Sequence, residues 1–284
     1  MLATQWPRIF AQPDWVYELK WDGVRVIHTW DGSTVRLRSR RGNDATSRYP
    51  EVAVPAADRP LVLDGEVVSL DPSGRPSFQQ LQQRMNLAGG ARIAAAQTAV
   101  PVVYVVFDVL YDGEEVIAEP WERRRRRLEA LDLQFPLQPS TVVDGDPTAL
   151  WELVKERGLE GIVAKHRTSV YRPGIRSTEW RKITRFRTAR AVVGGWLPGE
   201  RARAGTFGSL LLGLWTDDGL QWVGAVGSGF SDASLAAIRA ALDQMRVERS
   251  PFLPDPAMPR NAVWVEPALV AMVQYKDFTD VGRL

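Results

Sequence analysis

Cysteine is absent from all 284 residues of the sequence, and histidine occurs only twice. The absence of thiols excludes disulfide bonds, thiolate metal ligands and a cysteine nucleophile. Two histidines without cysteine are too few for most zinc sites. The composition therefore predicts a protein of a reducing, cytoplasmic environment.

Long apolar runs are also absent, since none approaches the roughly 18 residues that a membrane-spanning helix needs. The opening residues, MLATQWPRIF, lack the basic and apolar segments of a secretory signal. Hydrophobic residues make up 45% of the chain and charged residues 25%, as in ordinary globular proteins. We expect no membrane partner, and a chain of this length has room for two domains.

The excess of positive over negative charge is small, because the net charge is only +2. The positive residues are nevertheless unevenly distributed along the chain. The stretch 160–190 contains nine lysines and arginines but only two acidic residues. This stretch suits a polyanion such as nucleic acid or nucleotide phosphates, and a solvated surface explains it equally well. We interpret the arginine run 123–127 as the solvent side of a helix that pairs with Glu119, Glu122 and Glu129, rather than as a DNA contact.

The familiar nucleotide-binding motifs are missing. The sequence has no G-x-x-x-x-G-K-[ST] loop, and G-S-G at 227–229 lacks the third glycine of a dinucleotide fingerprint. No serine is marked as the nucleophile of a histidine-based triad. Any nucleotide chemistry must use another arrangement.

Local patterns divide the chain near residue 187. Before it, the alternation of apolar and polar residues predicts strands, together with a helix that begins at Pro120 and presents Leu128 and Leu131. The predicted strands occupy residues 16–19, 24–29, 35–39, 61–70 (interrupted by D-G-E at 64–66) and 102–110.

After residue 187 the pattern is three strands, a helix and two strands, which is the order expected of an OB-fold barrel. Ser231 or Asp232 caps the helix, and Leu235, Leu242 and Met245 share one of its faces. The predicted strands occupy residues 190–196, 209–215, 220–226, 263–265 and 269–275.

One segment, E-L-K-W-D-G-V-R at 18–25, resembles the K-x-D-G-x-R signature of covalent nucleotidyltransferases. This superfamily comprises ATP-dependent DNA ligases, RNA ligases and mRNA-capping enzymes. Five further segments resemble its motifs in the family order, which makes coincidence remote. They are S-R-R-G at 39–42, L-D-G-E at 63–66, V-F-D-V-L at 106–110, E-G-I-V-A-K at 160–165 and W-R-K at 180–182.

The amino-acid sequence most resembles the ligase domain of bacterial end-joining DNA ligases, notably at 37–44, 192–196 and 207–211. The resemblance implies an α+β nucleotidyltransferase domain of the ATP-grasp-like adenylation type over residues 1–187, followed by an all-β OB-fold domain over 188–284. It implies ATP and Mg²⁺ or Mn²⁺ as cofactors, and nicked double-stranded DNA as the partner. A Ku-like end-binding protein, a monomeric state and a nucleoid-associated cytoplasmic location are further expectations.

The chemistry of these residues agrees with the resemblance. A lysine amine attacks phosphorus only when unprotonated, and burial and neighbouring cations favour that neutral form. Carboxylates such as Glu66 and Glu160 are hard oxygen ligands suited to Mg²⁺. Phe107 offers a flat apolar face to a purine.

The resemblance also assigns a role to each matching residue. Lys20 is the nucleophile that forms a lysine–AMP bond. The expected nucleotide contacts are Glu18 at the adenine edge, Phe107 on the base, Arg25 and Glu66 near the ribose, Arg40 at the nucleotide or the 5′-phosphate of the nick, Lys165 and Lys182 at the α-phosphate, and Arg176 on ATP. The expected metal ligands are Glu160 and Glu66.

Two departures from the family pattern matter. The last motif reads K-I-T at 182–184 and lacks its second lysine, for which Arg185 or Arg187 is a candidate replacement. The sequence also stops before the basic motif that orients pyrophosphate in the first step. We therefore expect slow self-adenylylation, with less effect on the sealing of a nick that is already adenylylated.

Two other functions stay open at this point. RNA ligases and capping enzymes share the motif skeleton, although the flanking residues and the OB half favour DNA ligation. A nucleic-acid-binding protein that keeps the fold without catalysis is the alternative from another class. Labelled AMP on Lys20 would discriminate the enzymes from the binding protein.

Overall fold

The computed structural model describes residues 1–254, 261–276, 278 and 282–284. They form two compact units, Met1–Arg185 (the first unit) and Phe186–Leu284 (the second unit). The predicted domain boundary after residue 187 stays a prediction. The expectation of a missing C-terminal motif was based on the last residues of the sequence. Of these, residues 277 and 279–281 lie outside the described residues.

Ten strands form the two sheets of the first unit. They are β1 (Leu2–Gln5), β2 (Trp15–Leu19), β3 (Val24–Trp30), β4 (Val35–Ser39), β5 (Leu61–Ser69), β6 (Val102–Asp112), β7 (Leu137–Pro139), β8 (Val142–Asp144), β9 (Gly161–His166) and β10 (Arg176–Thr184).

Helices of the first unit are short and begin or end at recognisable signals. The hydroxyl of Ser77 accepts a hydrogen bond from the backbone N–H of Gln80 and so caps the first of them. The fourth helix ends at Gly158, which adopts the left-handed conformation that favours glycine. The helices are α1 (Phe78–Met85), α2 (Gly90–Ala99), α3 (Trp121–Ala130) and α4 (Thr148–Arg157).

The two sheets of the first unit have the strand orders β1-β10-β9-β2-β8 and β4-β3-β5-β6-β7. The pairs β1/β10 and β6/β7 are parallel and the others antiparallel. One face of the second sheet covers the main apolar core, which includes Leu37, Leu63 and Tyr104. The opposite face carries charged residues such as Arg25 and Glu66 beside a smaller apolar cluster of Val68, Val103 and Val105.

Predicted strand positions in this unit are confirmed, with small shifts at the ends. The D-G-E segment does not interrupt the strand predicted at 61–70, because β5 runs through it. Its pairing with β6 shifts register there instead, between Asp64 and Gly65.

The second unit is an antiparallel sheet of order β13-β12-β11-β15-β14 with one helix against it. The helix is capped by Ser231, as one of the two predictions has it. The elements are β11 (Arg187–Pro198), β12 (Phe207–Thr216), β13 (Gly219–Val226), α5 (Asp232–Gln244), β14 (Arg246–Val247) and β15 (Val263–Tyr275).

The prediction of two late strands, 263–265 and 269–275, is wrong. A single strand, β15, covers both, and its pairing with β11 shifts register opposite Gly194. Pro267 has no N–H to donate to a ladder, which suggested a break between strands. The chain passes this point as an irregularity within one strand, as β-bulges do.

The interpretation of the arginine run 123–127 is wrong for Arg124 and correct for the other four, of which Arg123 is exposed to solvent. Arg125, Arg126 and Arg127 lie within 4 Å of Glu129, Glu122 and Glu119 respectively. Arg124 is instead fully buried, and its guanidinium donates two hydrogen bonds to the carboxylate of Asp108, at 2.7 and 2.9 Å.

No helix within residues 1–254, 261–276, 278 and 282–284 has both the length and the apolar character needed to cross a bilayer.

Candidate active site

A cavity of about 240 Å³ lies in the first unit and gathers side chains from both of its sheets. Nine of the ten predicted site residues line it. They are Glu18, Lys20, Arg25, Arg40, Glu66, Phe107, Lys165, Arg176 and Lys182.

Lys20 occupies the position just after β2. Its backbone N–H donates to the carbonyl of Gly161 at 2.9 Å, which fixes the chain where the strand ends. Its ammonium group forms an ion pair with Glu160, the tenth predicted residue. The Lys20 side chain keeps 22% of its surface exposed, so that a ligand in the cavity can reach it.

Two glycines of the motifs allow the strands around Lys20 to approach closely. A Cβ atom on Gly23 would lie 2.2 Å from the carbonyl oxygen of Val67. Gly161 has φ +152°, and a Cβ there would lie 2.1 Å from the carbonyl oxygen of Ile183. Both positions therefore exclude any side chain, which explains why the motifs carry glycine there.

The floor of the cavity is a buried ion pair between Glu18 and Lys165, whose Nζ lies 2.6 Å from the Glu18 Oε1. Lys165 also donates to the carbonyl oxygen of Phe107 at 2.8 Å. Burial raises the pKa of Glu18 and lowers the pKa of Lys165, while the opposite charge of each partner counteracts the shift. A ligand that approaches Lys165 therefore meets a cation already shared with a carboxylate.

Aromatic rings form the apolar side of the cavity. Phe107 and Trp180 pack edge to face, with ring centroids 6.2 Å apart. The Trp180 Nε1 is buried and finds no hydrogen-bond acceptor within the described part of the chain. Trp180 lines the cavity, as does Trp21.

Arg25 is held by a buried network that the sequence did not predict. Its guanidinium donates to both carboxylate oxygens of Asp64, at 2.9 and 2.6 Å. The hydroxyl of Tyr171 donates to the same carboxylate at 2.7 Å. Arg25 also lies 5.3 Å from the ring centroid of Phe107, so Asp64 and Tyr171 indirectly position one wall of the cavity.

The sequence contained one signal for this network, since Asp64 is the first residue of the D-G-E motif. Only the third residue of that motif was given a role, and Tyr171 lies in no motif. The contact joins positions 107 residues apart, which the spacing of residues along the chain cannot show.

Glu66 faces Lys20, Arg25 and Glu160 closely enough for their charges to affect it. Burial raises the pKa of Glu66 to about 8, and the two cations oppose that shift. Within the described residues, no three His, Asp or Glu side chains converge as a ready-made metal cage. Two carboxylates suit Mg²⁺, which is bound by one or two of them together with substrate phosphates and water.

The cations at the opening of the cavity come from different elements. Arg40 follows β4 and is exposed, while Arg176 begins β10 and donates to the backbone carbonyl of Ala3. Lys182 lies on β10 opposite Val163 of β9.

Neither candidate for the missing second lysine lines the cavity. Arg185 donates to the carbonyl oxygens of Leu159 and Gly158, at 3.0 and 3.1 Å, at the end of α4. Arg187 belongs to the second unit.

Comparison with known families gives a direct result. The family model described as the ATP dependent DNA ligase domain matches residues 1–184. The chain belongs to the ATP-dependent DNA ligase family. A second family model, the ATP dependent DNA ligase C terminal region, matches residues 203–284.

Relatives of known sequence support this assignment. The chain is 40% identical to the multifunctional non-homologous end joining protein LigD of Mycobacterium bovis, over 95% of this chain and 35% of the relative. It is 35% identical to a DNA ligase of Methanosphaerula palustris, over 92% of this chain and 46% of that protein. The chain therefore spans about a third to a half of the length of these relatives.

Solved structures agree. A mycobacterial DNA ligase D complexed with ATP and MES is 38% identical to the chain, with a TM-score of 0.61 and coverage of 100% of this chain and 90% of that one. A Lig E DNA ligase, at 19% identity and a TM-score of 0.67, shares the fold. The two units of this ligase chain are thus a nucleotidyltransferase domain and an OB-fold domain, as predicted. The family uses ATP and a divalent metal ion.

Proposed function

We propose that this chain seals nicks in duplex DNA at the expense of ATP, in the repair of DNA breaks by end joining. The observation that carries the proposal is the cavity in the first unit, where eight other predicted site residues meet around Lys20. The names of the relatives, which include end-joining proteins, support the same process.

In the first step, the amine of Lys20 attacks the α-phosphorus of ATP. A nitrogen–phosphorus bond forms while the bond from that phosphorus to the bridging oxygen breaks, and pyrophosphate leaves with the electron pair. Because a protonated amine has no lone pair to offer, the ion pair with Glu160 must open and a proton must pass to solvent beforehand.

The purine lies against Phe107 with Glu18 at its edge, and Lys165, which pairs with Glu18, serves the α-phosphate. Phe107 and the neighbouring ring of Trp180 provide apolar contact. Lys182, Arg40 and Arg176 lie where phosphate charge enters, and their cations stabilise the negative charge that develops at phosphorus.

The next steps transfer the adenylyl group and join the strand. An oxygen of the nick 5′-phosphate attacks the phosphorus of lysine–AMP, the nitrogen–phosphorus bond breaks, and the Lys20 amine takes a proton from solvent. The 3′-hydroxyl oxygen then attacks the phosphorus of the 5′-phosphate. The new phosphodiester forms, AMP leaves, and the hydroxyl proton passes to solvent.

Glu66 and Glu160 are the residues that would hold a divalent cation, Mg²⁺ or Mn²⁺. When bound, the ion neutralises phosphate charge and orients the leaving group. The closeness of both carboxylates to Lys20 supports this assignment.

A Ku-like end-binding partner, a monomeric state and a nucleoid-associated location belong to the same proposal, by analogy with end-joining ligases. The expectation of slow self-adenylylation also stays a prediction, and it is tested by measuring the adenylylation and sealing steps separately.

The test is the intact mass of the purified protein before and after incubation with ATP and Mg²⁺. We expect a gain of one adenylyl group, which disappears in Lys20→Ala. Lys155→Ala is the matched control, since this exposed lysine on α4 lies outside the cavity and pairs with Glu152. The control should adenylylate like the unmodified chain.

Sealing is then measured on nicked and on pre-adenylylated duplexes. A chain that binds nicked duplex but seals neither substrate, and gains no mass, would be a binding protein and not a ligase. AMP found on the Lys20→Ala variant would remove Lys20 from its role.

A further inference from the structure

Four arginines stand close together on β4 and the turn after it, and all four are exposed. They are Arg36, Arg38, Arg40 and Arg41. Within residues 1–254 and 261–276, their side chains make no ion pair or hydrogen bond at bonding distance, unlike the paired arginines 125–127 of α3.

The carboxylates nearest in sequence are already engaged in turns. Asp31 accepts hydrogen bonds from the backbone N–H groups of Ser33 and Thr34, at 2.9 and 2.8 Å. Asp44 accepts one from the backbone of Thr46 at 2.8 Å. The charges of Asp31 and Asp44 act on Arg36 and Arg38 from a distance, without an ion pair at bonding distance. The guanidinium groups therefore keep their hydrogen-bond donors for an external anion.

Strand register places this charge on the face of the sheet that carries the active site. Arg38 lies directly opposite Ile27 and Arg36 opposite Thr29, and opposite residues of paired strands point to the same face. Arg25, two residues before Ile27 on β3, lines the active cavity and so marks that face.

A second cavity, of about 360 Å³, lies beside the candidate active site and is lined by one of the four arginines, Arg40. It shares Leu2, Arg25 and Arg40 with the active cavity and is also lined by Ile27. Arg40 thus stands at the junction, and Arg38 and Arg36 follow it along β4 away from Lys20.

The spacing of these residues suits a nucleic acid strand. Arg36 and Arg38, at positions i and i+2 of β4, stand about 7 Å apart, and Arg40 follows in the turn after the strand. One strand of B-DNA advances about 3.4 Å per nucleotide along the helix axis, so the three arginines are spaced to follow the phosphates of one strand. The guanidinium fork binds phosphate oxygens in pairs, which makes arginine well suited to such contacts.

We propose that Arg36 and Arg38, continuing from Arg40, bind successive backbone phosphates of the nicked strand that ends in the 5′-phosphate. We call these three residues the arginine track. The proposal rests on the proposed function, because it takes the substrate to be nicked duplex DNA whose 5′-phosphate reaches Lys20. It extends the motif residue Arg40 by two residues without an assigned role, Arg36 and Arg38, which lead that phosphate to the cavity.

The first test compares two double variants of the full chain, Arg36→Gln with Arg38→Gln, and Arg123→Gln with Arg126→Gln. Both remove two exposed charges from the same unit. Fluorescence anisotropy measures the Kd for a 5′-phosphorylated nicked duplex between roughly 50 and 200 mM salt.

Loss of two phosphate contacts should raise the Kd on the order of tenfold and flatten the slope of log K against log salt by about 1.8. The control pair should leave the slope unchanged. Mass gain on Lys20 should be normal in both variants, which shows that the first unit is folded.

The second test needs no variant for its main result. Each duplex carries one uncharged methylphosphonate linkage in place of one of the four internucleotide phosphates nearest the nick. Separate sets of duplexes carry it in the 5′-phosphate strand, the 3′-hydroxyl strand or the continuous strand. Binding by the unmodified chain should weaken only for the first of these, and the Arg36/Arg38 variant should lose that sensitivity.

An unchanged Kd and slope in the Arg36/Arg38 variant would overturn the arginine track, and so would sensitivity confined to another strand. These outcomes differ from failure of the proposed function, in which the unmodified chain forms no lysine–AMP and seals no nick. The binding measurements remain decisive for the track in that case, because they require no catalysis.

Discussion

Replacing Arg124 by methionine should destabilise the first unit far more than the same change at Arg126, two residues along the same helix. Arg124 and Asp108 are at most 1% exposed, and two hydrogen bonds join them. Arg124 also donates to the backbone carbonyls of Glu119 and Ser169. Methionine keeps most of the side-chain volume but none of these bonds.

The expected loss in the free energy of unfolding is about 3–5 kcal/mol, because removal of one partner leaves a buried carboxylate without its counter-charge. Arg126 is 69% exposed and lies 3.9 Å from Glu122. Such surface pairs contribute about 0–1 kcal/mol, so Arg126→Met should be nearly neutral.

The assay is urea unfolding followed by circular dichroism and tryptophan fluorescence. Since the chain has two units, a single two-state transition is not assumed, and hydrogen-exchange mass spectrometry assigns each transition to its unit. A loss below about 1 kcal/mol for Arg124→Met, or equal losses for the two variants, would refute the reasoning.

Three further outcomes are expected. Phe107→Leu should raise the KM for ATP about two- to tenfold, because about 0.5–1.5 kcal/mol of aromatic contact is lost. An unchanged KM for ATP in steady-state sealing would contradict this. Gly161→Ala should cost at least about 1–3 kcal/mol in urea unfolding because its Cβ would overlap the Ile183 carbonyl, whereas the exposed Gly74→Ala is the control for a positive-φ glycine with open space. Burial lowers the pKa of His28 in the folded chain, so on acidification the unfolded chain takes up a proton first. The free energy of unfolding should therefore fall as the pH drops below about 6.5. A His28→Phe variant with the same acid dependence would exclude this residue as the source.

Much of the fold was predictable because the strands of this chain have distinct patterns. The buried run of β6 and the short alternating strands β3 and β4 are visible in the sequence, and the glycines of the motifs mark positions where strands approach closely. The two late strands were mistaken because Pro267 suggests a break, while an irregular pairing within one strand carries no local sign.

The residues that line the candidate site were found through the motifs, whereas the buried contacts that hold these residues were missed. Asp64, Tyr171 and Arg124 act through contacts between positions far apart in the chain, which periodicity does not report. The roles of Arg124 and Arg126 were indistinguishable in the sequence, since neighbouring arginines in one run differ only in the direction in which the helix turns them.

Assembly of the active cavity requires both ends of the first unit. Its lining begins with Leu2 and Ala3 on β1 and ends with Lys182 on β10, and these two strands pair in parallel. A nascent or partly folded chain therefore exposes Lys20 without the phosphate-binding groups around it. Attachment of AMP to the chain would then report that the first unit has completed folding. Pulse-labelling with ATP during refolding would measure when the two ends of the unit come together.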